Sequence, residues 1–486
     1  MLVKDQNKTP LIDALKEYQE DNITPFDVPG HKHGAGAKSY ANFIGKKALS
    51  LDVNSMRSLD NLSNPISVIK EAEDLASDLF WSDHAFFLVN GTTVGIEAMI
   101  MSVCRPGDKI ILPRNVHKST INGLILSDAI PAYIEPEIDQ ELGCSLGVSI
   151  ENVEKTIARH PNAKAILITN PTYYGFASDI KSIINLAHKH GMAVLVDEAH
   201  GSHIGFSDEL PISAMEAGAD MSAISMHKTG GSLTQSSILL MNEGFVTANH
   251  VKTVLNLLQT TSASYLLMGS LDSARHNLAV NGAKALKKVI KLSKKYRKKI
   301  NEIPGLYAFG KELVGKNAIF SFDETKLSIQ VKELGLSGFE VYDILRDEYK
   351  IQVEFGDTYN ILAIISLGDT EDSLNTLYNA LLDISKKYKK NHVFSKNIQA
   401  VRHSPDVIVS PRHAFYSSKK IVPLEESIGH ISAEFIMAYP PGIPILVPGE
   451  RISKEIVQYI KFLKDEETTI TGMEDAYANK INVLGM

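Results

Sequence analysis

The chain has 486 residues, 44% of them hydrophobic and 22% charged, with a net charge of −7. That length suits about two or three domains rather than one core, and the acidic balance excludes a global positive field that would recruit nucleic acid or an anionic membrane. Cys104 and Cys144 are the only cysteines, too few for a disulfide framework. They point to a reducing cytosol.

The opening MLVKDQNKTPLIDALKEYQE has no apolar core of a signal peptide, and no apolar run approaches a membrane span. A cytoplasmic protein is expected. From about Phe80 to Met226, short β-rich runs alternate with helical patterns: KIILP and a helix from about His117, AKAILIT and SDIKSIINLAHKHG, then AVLVD and SAIS. This alternation predicts βαβ units in a mainly parallel sheet with helices on both faces. Such sheets bind ligands beyond the carboxyl ends of their strands. From Leu271 to Ile300, Leu286, Val289, Ile290, Tyr296 and Ile300 keep helical spacing among Lys287, Lys288, Lys291, Lys294, Lys295, Arg297, Lys298 and Lys299. The stretch reads as a solvated helix face rather than a nucleic-acid stripe, because no aromatic platform is interleaved.

Downstream, KLSIQVKELG, EVYDILRDEY, IQVEFGD, NILAIIS and a helix near Asp372 to Lys389 suggest a smaller α+β domain. A connector from Lys390 to Ser410 leads into a C-terminal unit carrying YPPGIPILVPGE. The expected division is an N-terminal arm over residues 1–75, a large domain over 76–300, a small α+β domain over 301–390 and a C-terminal domain over 391–486.

The string VLVDEAHGSHIGF contains DEAH, the magnesium-binding signature of a helicase family. That chemistry also needs a phosphate-cradling loop, G-x-x-x-x-G-K-[ST]. The near match GKELVGKN, Gly310 to Asn317, lacks the final hydroxyl and follows DEAH instead of preceding it. Asp197 instead closes the strand AVLVD, and Lys228 sits just past SAIS in SMHKTGGSLTQSS. A buried lysine there can attack an aldehyde as a neutral amine. Alone it reads more readily as an exposed loop lysine, and Asp197 alone reads equally as a metal ligand or helix cap. His200 and His203 suggest zinc, but HExxH is absent and no Cys joins them, so no metal is expected.

Together, Asp197 and Lys228 meet two demands of pyridoxal 5'-phosphate: a lysine for its aldehyde and a carboxylate that keeps its ring nitrogen protonated. Its third demand is a phosphate cup. In FFLVNGTTVGIEAMI, Gly91, Thr92 and Thr93 open a helical run whose free N–H groups and hydroxyls can hold a dianion, although an N-capped helix explains them too. Ser225 and His227 can complete the cup. His117, in LPRNVHKS, follows another strand and can lie over the cofactor ring, although a lone histidine there is more often structural.

With these strings in order, the chain resembles the Orn/Lys/Arg decarboxylases, pyridoxal-phosphate enzymes of the aspartate-aminotransferase fold (fold type I), and most of all the short bacterial arginine decarboxylases. The likeness runs nearly the whole length through FDVPGHKHGAG, NGTT, PRNVHKS, NPTYYG, VDEAHGSH, SMHKTGGSLTQSS, TTSASYLLMGSLDSAR and YPPGIPILVPGE. It implies an α/β large domain, a smaller α+β domain and a C-terminal decarboxylase domain. It implies Lys228 as the cofactor lysine, Ser225 and His227 near the phosphate, and Asp197 on the ring nitrogen. It further implies Ala199 against the ring, His200 beside Lys228, Gly91, Thr92 and Thr93 as the phosphate loop, and His117 as the stacking residue.

The expected reaction is decarboxylation of a basic amino acid, arginine to agmatine in polyamine biosynthesis, with lysine or ornithine as the alternatives. A non-catalytic regulatory or binding homologue is the rival of a different class. Arg412 and Glu434 are substrate candidates and Glu450 another, with structural roles equally open. Relatives carry LDDLH and Arg-Asp-Ala-Phe where this chain has LDNLS and RHAF, and Gly-Arg-Ile where it has GHIS. Asn61, Ser63, His413 and His430 are therefore departures. Because PGHK begins at Pro29, no room is left for the receiver-like domain of larger relatives. A homodimer or dimer of dimers is expected, with PGHK or TTSAS completing the partner's site.

Overall fold

The structure, a computed structural model, describes residues 4–135, 137–316, 318–388, 405–438, 442–466 and 468–485. Its main sheet has seven strands: His84–Leu88 (β1), Lys109–Pro113 (β2), Ile130–Ile134 (β3), Ala165–Thr169 (β4), Ala193–Asp197 (β5), Met221–Ile224 (β6) and Ser237–Met241 (β7), in the spatial order β1-β7-β6-β5-β4-β2-β3. Ile110 stands opposite Ala165 and Leu195 opposite Met221 in parallel register. Every residue of β5, β6 and β7 is buried, the mark of a sheet covered on both faces. The expected α/β architecture stands, with one strand the sequence reading passed over. β7 runs antiparallel to both neighbours, with Ile238 opposite Ile224 and Phe87. It follows β6 through Ser225–Ser236 without a crossover helix, and a parallel return needs such a crossover.

The chain forms two compact units, Met1–Ser102, Leu195–Asp208 and Ile212–Leu286 in the first, and Val103–Val194, Glu209–Pro211 and Lys287–Met486 in the second. In the first, helix α1 (Pro10–Glu20) begins with proline, and the carboxylate of Asp272 accepts the Leu11 amide at 3.0 Å. Asp272 is paired in turn with Arg275 at 2.6 Å, both fully buried, and Arg275 donates to the Gln6 carbonyl at 2.9 Å. The SLDSAR string is therefore a clamp on the start of the chain. Helix α2 (Val68–Leu79) has its first amides, Ser67 at 2.8 Å and Ile69 at 3.2 Å, on the Asp60 carboxylate. Its Glu73 accepts the Phe87 amide of β1 at 2.9 Å.

Helix α3 (Gly91–Val103) is buried along most of its length. A Cβ at Gly95 would lie 2.8 Å from Leu88 Cδ1 and 3.2 Å from Ala223 Cβ, so the helix sits on β1 and β6 only because that position has no side chain. This contact fixes the height of the helix start against the sheet.

In the second unit, β2 leads into helix α4 (Lys118–Ser127). A four-stranded antiparallel sheet is built from Tyr307–Phe309, Lys326–Gln330, Asn360–Ile364 and Phe355–Gly356. It is joined in sequence to helices Gly338–Asp347, which starts with a Ser337/Glu340 capping box, and Glu371–Tyr388. The C-terminal part pairs Lys419–Pro423 with Lys480–Leu484 over a core that includes Leu424, Ile436, Leu446, Ile456 and Val483. Most of the expected connector, and Tyr439 to Pro441 of YPPGIP, lie outside the described residues. The near match to a phosphate loop contains a 3-10 turn, Lys311–Leu313, instead of a loop opening a long helix, and its Asn317 is outside the described residues.

The lysine-rich helix, α5 (Ala283–Ile300), buries the five apolar residues read from its spacing and exposes Lys287, Lys288, Lys291, Lys295 and Lys298. Arg297 corrects that reading. It is buried, paired with Glu324, donating to the Lys326 carbonyl at 2.7 Å and lying over the Phe322 ring. Among the described residues, no helix is long and apolar enough to cross a membrane.

Candidate active site

β5 carries apolar residues until its last position, where Asp197 and then Glu198 turn the strand end acidic. Both are buried, and they are held differently. Asp197 accepts the amide of Ala199 at 3.2 Å. Burial raises its carboxyl above the ordinary value, against the opposing pull of the Lys228 charge and that amide. Glu198 accepts the Ala214 amide at 2.8 Å and the Ser222 hydroxyl at 2.9 Å, and burial pushes it up to about 8. It ties the end of β5 to β6 and to the short helix Ala214–Ala217.

Lys228 lies in a π-helical turn, Met226–Gly230, that follows β6. Such turns are rare, and they are frequent at functional sites. Lys228 Nζ is 3.0 Å from His200 Nε2, and one residue on, the Thr229 hydroxyl is 2.7 Å from that of Ser202. The segment after Asp197 is thus fastened to the lysine turn at two rungs. His227 Nδ1 donates to the Ser236 carbonyl at 2.9 Å, so that nitrogen carries its proton.

The turn begins at Ser225, whose hydroxyl is hydrogen-bonded to that of Thr92 at the start of α3. Thr92 also meets Ser237 of β7 at 2.8 Å. Gly91 has a φ of +75°, which favours glycine, and its amide donates to the Gln235 carbonyl at 2.9 Å. Its part is therefore to make the turn, and the helix-start amides after it, including Thr92 and Thr93, are the ones placed for an anion. Ser237 and Glu198 were not singled out in the sequence. The signal was a serine entering the apolar run SILLM and an acid beside Asp197.

His117 belongs to the second unit. It caps α4, its Nδ1 accepting the Ser119 amide at 3.2 Å and lying 2.8 Å from the Ser119 hydroxyl. Nδ1 is thus an acceptor, and a neutral ring carries its proton on Nε2. Just before it, Arg114 makes a buried bidentate pair with Glu450, at 2.7 and 2.8 Å, and donates to the Pro444 carbonyl at 2.9 Å. The strings PRNVHKS and PGE are therefore two halves of one clamp. Lys118 N donates to the Gly442 carbonyl at 3.2 Å.

The two substrate candidates are occupied by the fold. Arg412 Nη1 donates to the carbonyls of Ile125 and Leu126, 2.8 and 3.0 Å away, where cations suit the end of α4. Glu434 accepts the Asn482 amide at 2.9 Å, its side-chain amide at 3.0 Å and the Glu474 amide at 3.1 Å. Of the departures, Asn61 Oδ1 accepts the Ser63 amide at 2.9 Å within the loop before α2, and His413 is exposed.

The first unit meets the chemical demands of pyridoxal 5'-phosphate within one cluster. The Thr92 and Ser225 hydroxyls and the α3 start suit a phosphate, Asp197 suits a protonated ring nitrogen, and Lys228 suits an aldehyde. Solved structures share this fold. A lysine decarboxylase of Francisella novicida superposes with a TM-score of 0.85 at 22% identity, covering 98% of this chain and 81% of that one. An alanine–glyoxylate aminotransferase from Nostoc sp. gives 0.54 at 15% identity, covering 74% and 97%. These likenesses define a pyridoxal-phosphate enzyme fold of type I.

Residues 9–373 match the major domain of the Orn/Lys/Arg decarboxylases and residues 394–478 their C-terminal domain. The chain belongs to the Orn/Lys/Arg decarboxylase family. Proteins named arginine decarboxylase from Bacillus subtilis (strain 168) and Bacillus anthracis are each 47% identical over 481 residues, 99% of this chain and 98% of theirs. The family resemblance read from the motifs is borne out. The chain is a decarboxylase whose cofactor is pyridoxal 5'-phosphate.

Proposed function

We propose that this chain converts L-arginine and a proton to agmatine and CO2. The observation that carries the choice of arginine is the 47% identity, over 99% of the chain, to proteins of that name. In the proposed site, Lys228 anchors the cofactor and Asp197 balances its ring nitrogen. His117 would supply an aromatic ring to the cofactor, and Ala199 would pack against it. Thr92, Thr93, Ser225 and His227 hold the phosphate, with Gly91 forming their turn. Arg412 and Glu434 are assigned to structure, since Arg412 donates through Nη1 to two carbonyls and Glu434 accepts from three protein N–H groups.

When bound, the cofactor supplies an electron sink for the pair released as the Cα–carboxylate bond breaks. Everything else falls to the chain. The chain would have to orient the substrate so that the bond to the carboxylate, and no other bond at that carbon, breaks. The released carbon must then be reprotonated, and the Lys228 and His200 nitrogens, 3.0 Å apart, are placed to pass the proton between them. An ammonium at Nζ donates to Nε2, and a neutral amine accepts from it.

The test supplies arginine, lysine and ornithine separately to the cofactor-loaded protein and detects the amine by mass spectrometry. Agmatine from arginine alone is expected. Cadaverine or putrescine as the main product overturns the substrate, and no amine from any of them overturns the activity. In Lys228→Ala the absorbance of the lysine-bound cofactor should vanish.

The division into an arm over residues 1–75, the three following domains with the boundaries given above, and a homodimer or dimer of dimers belong to the same proposal. Exposed Phe26, Val28, Tyr40 and Phe43 around PGHK support a partner on that arm. A monomer by light scattering with full activity would refute it. A cytosolic location is proposed because Cys104 and Cys144 are free thiols, both buried.

A further inference from the structure

Ser237 is fully buried at the entry of β7, in a strand otherwise made of Ile, Leu, Leu and Met. A buried hydroxyl in such a place is costly without a partner. It lies 2.8 Å from Thr92 Oγ1, and Thr92 Oγ1 is in turn hydrogen-bonded with Ser225 Oγ. Two residues earlier, Gln235 has a φ of +82° and its carbonyl accepts the Gly91 amide at 2.9 Å. The entry of β7 thus touches the first turn of α3 twice, once through backbone and once through Ser237.

The geometry points to Ser237 as a positioning residue for phosphate binding, the fixed donor that orients the Thr92 and Ser225 hydroxyls toward a phosphate monoester. The inference rests on the cofactor assignment proposed above and extends it to a residue outside the phosphate loop. Each of the three hydroxyls has one proton to donate, and a phosphate dianion only accepts. If Thr92 donates to the anion, its oxygen is left to accept from both Ser225 and Ser237. If Ser225 donates to the anion, Ser225 accepts from Thr92, and Thr92 accepts from Ser237. In both arrangements Ser237 is the donor at the far end of the chain. Without an anion the direction is free to reverse, so Ser237 acts on the phosphate through Thr92 and not by contact. A hydrogen-bond chain of fixed direction polarises along its length, and that strengthens its last bond.

The experiment measures equilibrium binding of pyridoxal 5'-phosphate and of pyridoxal to the full-length protein stripped of cofactor, following cofactor absorbance. Pyridoxal keeps the ring and aldehyde and lacks the phosphate, so the ratio of the two affinities isolates the cup. In Ser237→Ala, binding of pyridoxal 5'-phosphate should weaken about three- to tenfold, with pyridoxal changed by less than about twofold. Ser237→Cys, close to serine in size and a weaker donor, should lower the ratio by a smaller factor, and it keeps the test open if the alanine variant fails to fold. Equal weakening of both ligands, or an unchanged or larger ratio, overturns the proposal and leaves the cofactor assignment standing. A wild-type protein that binds the two ligands equally overturns the phosphate cup itself, and Ser237 with it.

Discussion

In the first unit, Asp197 and Glu198 are buried at a strand end with amides, a hydroxyl and the charge of Lys228 as their surroundings. In the second, Glu450 is buried against Arg114 through two charge-assisted hydrogen bonds, and a third of its contacts, the Val447 amide at 2.9 Å, is also a donor. Among the described residues, the carboxylates near Lys228 have no guanidinium fork, and burial lifts them. Burial lifts Glu450 too, but Arg114 and the Val447 amide pull against it, and both its oxygens are held by those donors. A site that must respond to a bound charge is built from the first arrangement, and a joint that must not move from the second.

The largest expected effect is at the joint. Glu450→Ala leaves the Arg114 guanidinium buried without its partner and should cost about 3–5 kcal/mol, seen as a lower denaturation midpoint in urea. Replacing both ions with apolar residues, Arg114→Met with Glu450→Leu, should recover most of that loss. A single substitution costing less than about 1 kcal/mol would erase the contrast between the two units.

Next in size is the unpaired acid beside Asp197. Glu198→Ala removes the acceptor of the Ala214 amide and the Ser222 hydroxyl, and should cost about 2 kcal/mol or more. Glu198→Gln, which keeps an acceptor, should cost less. The same measurement then reads the cofactor: if Glu198 holds the end of β5 for Asp197, the alanine variant binds pyridoxal 5'-phosphate more weakly in proportion to its loss of order. Wild-type cofactor affinity in a destabilised alanine variant would separate the two functions.

The joint and the site were legible in the sequence to different degrees. Residues with distinctive chemistry at strand ends, Asp197 and Lys228, could be read because each strand before them was a short apolar run that stopped there. Arg114 and Glu450 stood inside recognised strings, PRNVHKS and PGE, yet their pairing spans most of the chain and nothing local announces it. Arg297 failed for a related reason. Its neighbours on α5 are solvated lysines, and only the placement of Glu324 and Phe322 shows that this one basic side chain points inward. β7 was missed because the Ser225–Ser236 connection looks like an extended loop carrying the lysine, and its antiparallel return depends on the absence of a helix there. Ser237 is one hydroxyl at the edge of an apolar run, which a sequence alone gives no reason to prefer over its neighbour Ser236.

A third prediction concerns pH. Burial raises Glu73 and Glu198 to about 8 each, while an unfolded glutamate titrates near about 4.3. Between those values the folded chain keeps protons that the unfolded chain has released. The stability these groups confer is therefore complete below about pH 4.3, falls as pH rises, and levels off above about pH 8, by at most about 1.4 kcal/mol per pH unit for each. Glu73→Gln mimics the protonated acid and keeps an acceptor for the Phe87 amide. It should match the wild type near pH 5 and exceed it near pH 8 in denaturation midpoint. Parallel pH profiles for the two proteins would show that burial does not govern Glu73.

The smallest effect on stability can separate two roles of one residue. His117 caps α4 through Nδ1 and, in the proposed function, lies over the cofactor ring. Removing the cap in His117→Ala should cost about 1 kcal/mol. His117→Asn offers a side-chain oxygen to the same Ser119 amide and should restore that stability, since asparagine is among the best residues at this position. What asparagine lacks is the aromatic face. If His117 only caps the helix, His117→Asn should behave as wild type in denaturation and in cofactor absorbance alike. If it also stacks, the asparagine variant should be as stable as the wild type while its bound-cofactor spectrum shifts and its decarboxylation slows, because the ring loses the surface that holds its plane. The joint at Arg114 bears on this outcome, since it holds the loop from which His117 projects. A Glu450→Gln variant should then share the spectral shift of His117→Asn to a smaller degree, even though residue 117 itself is unchanged.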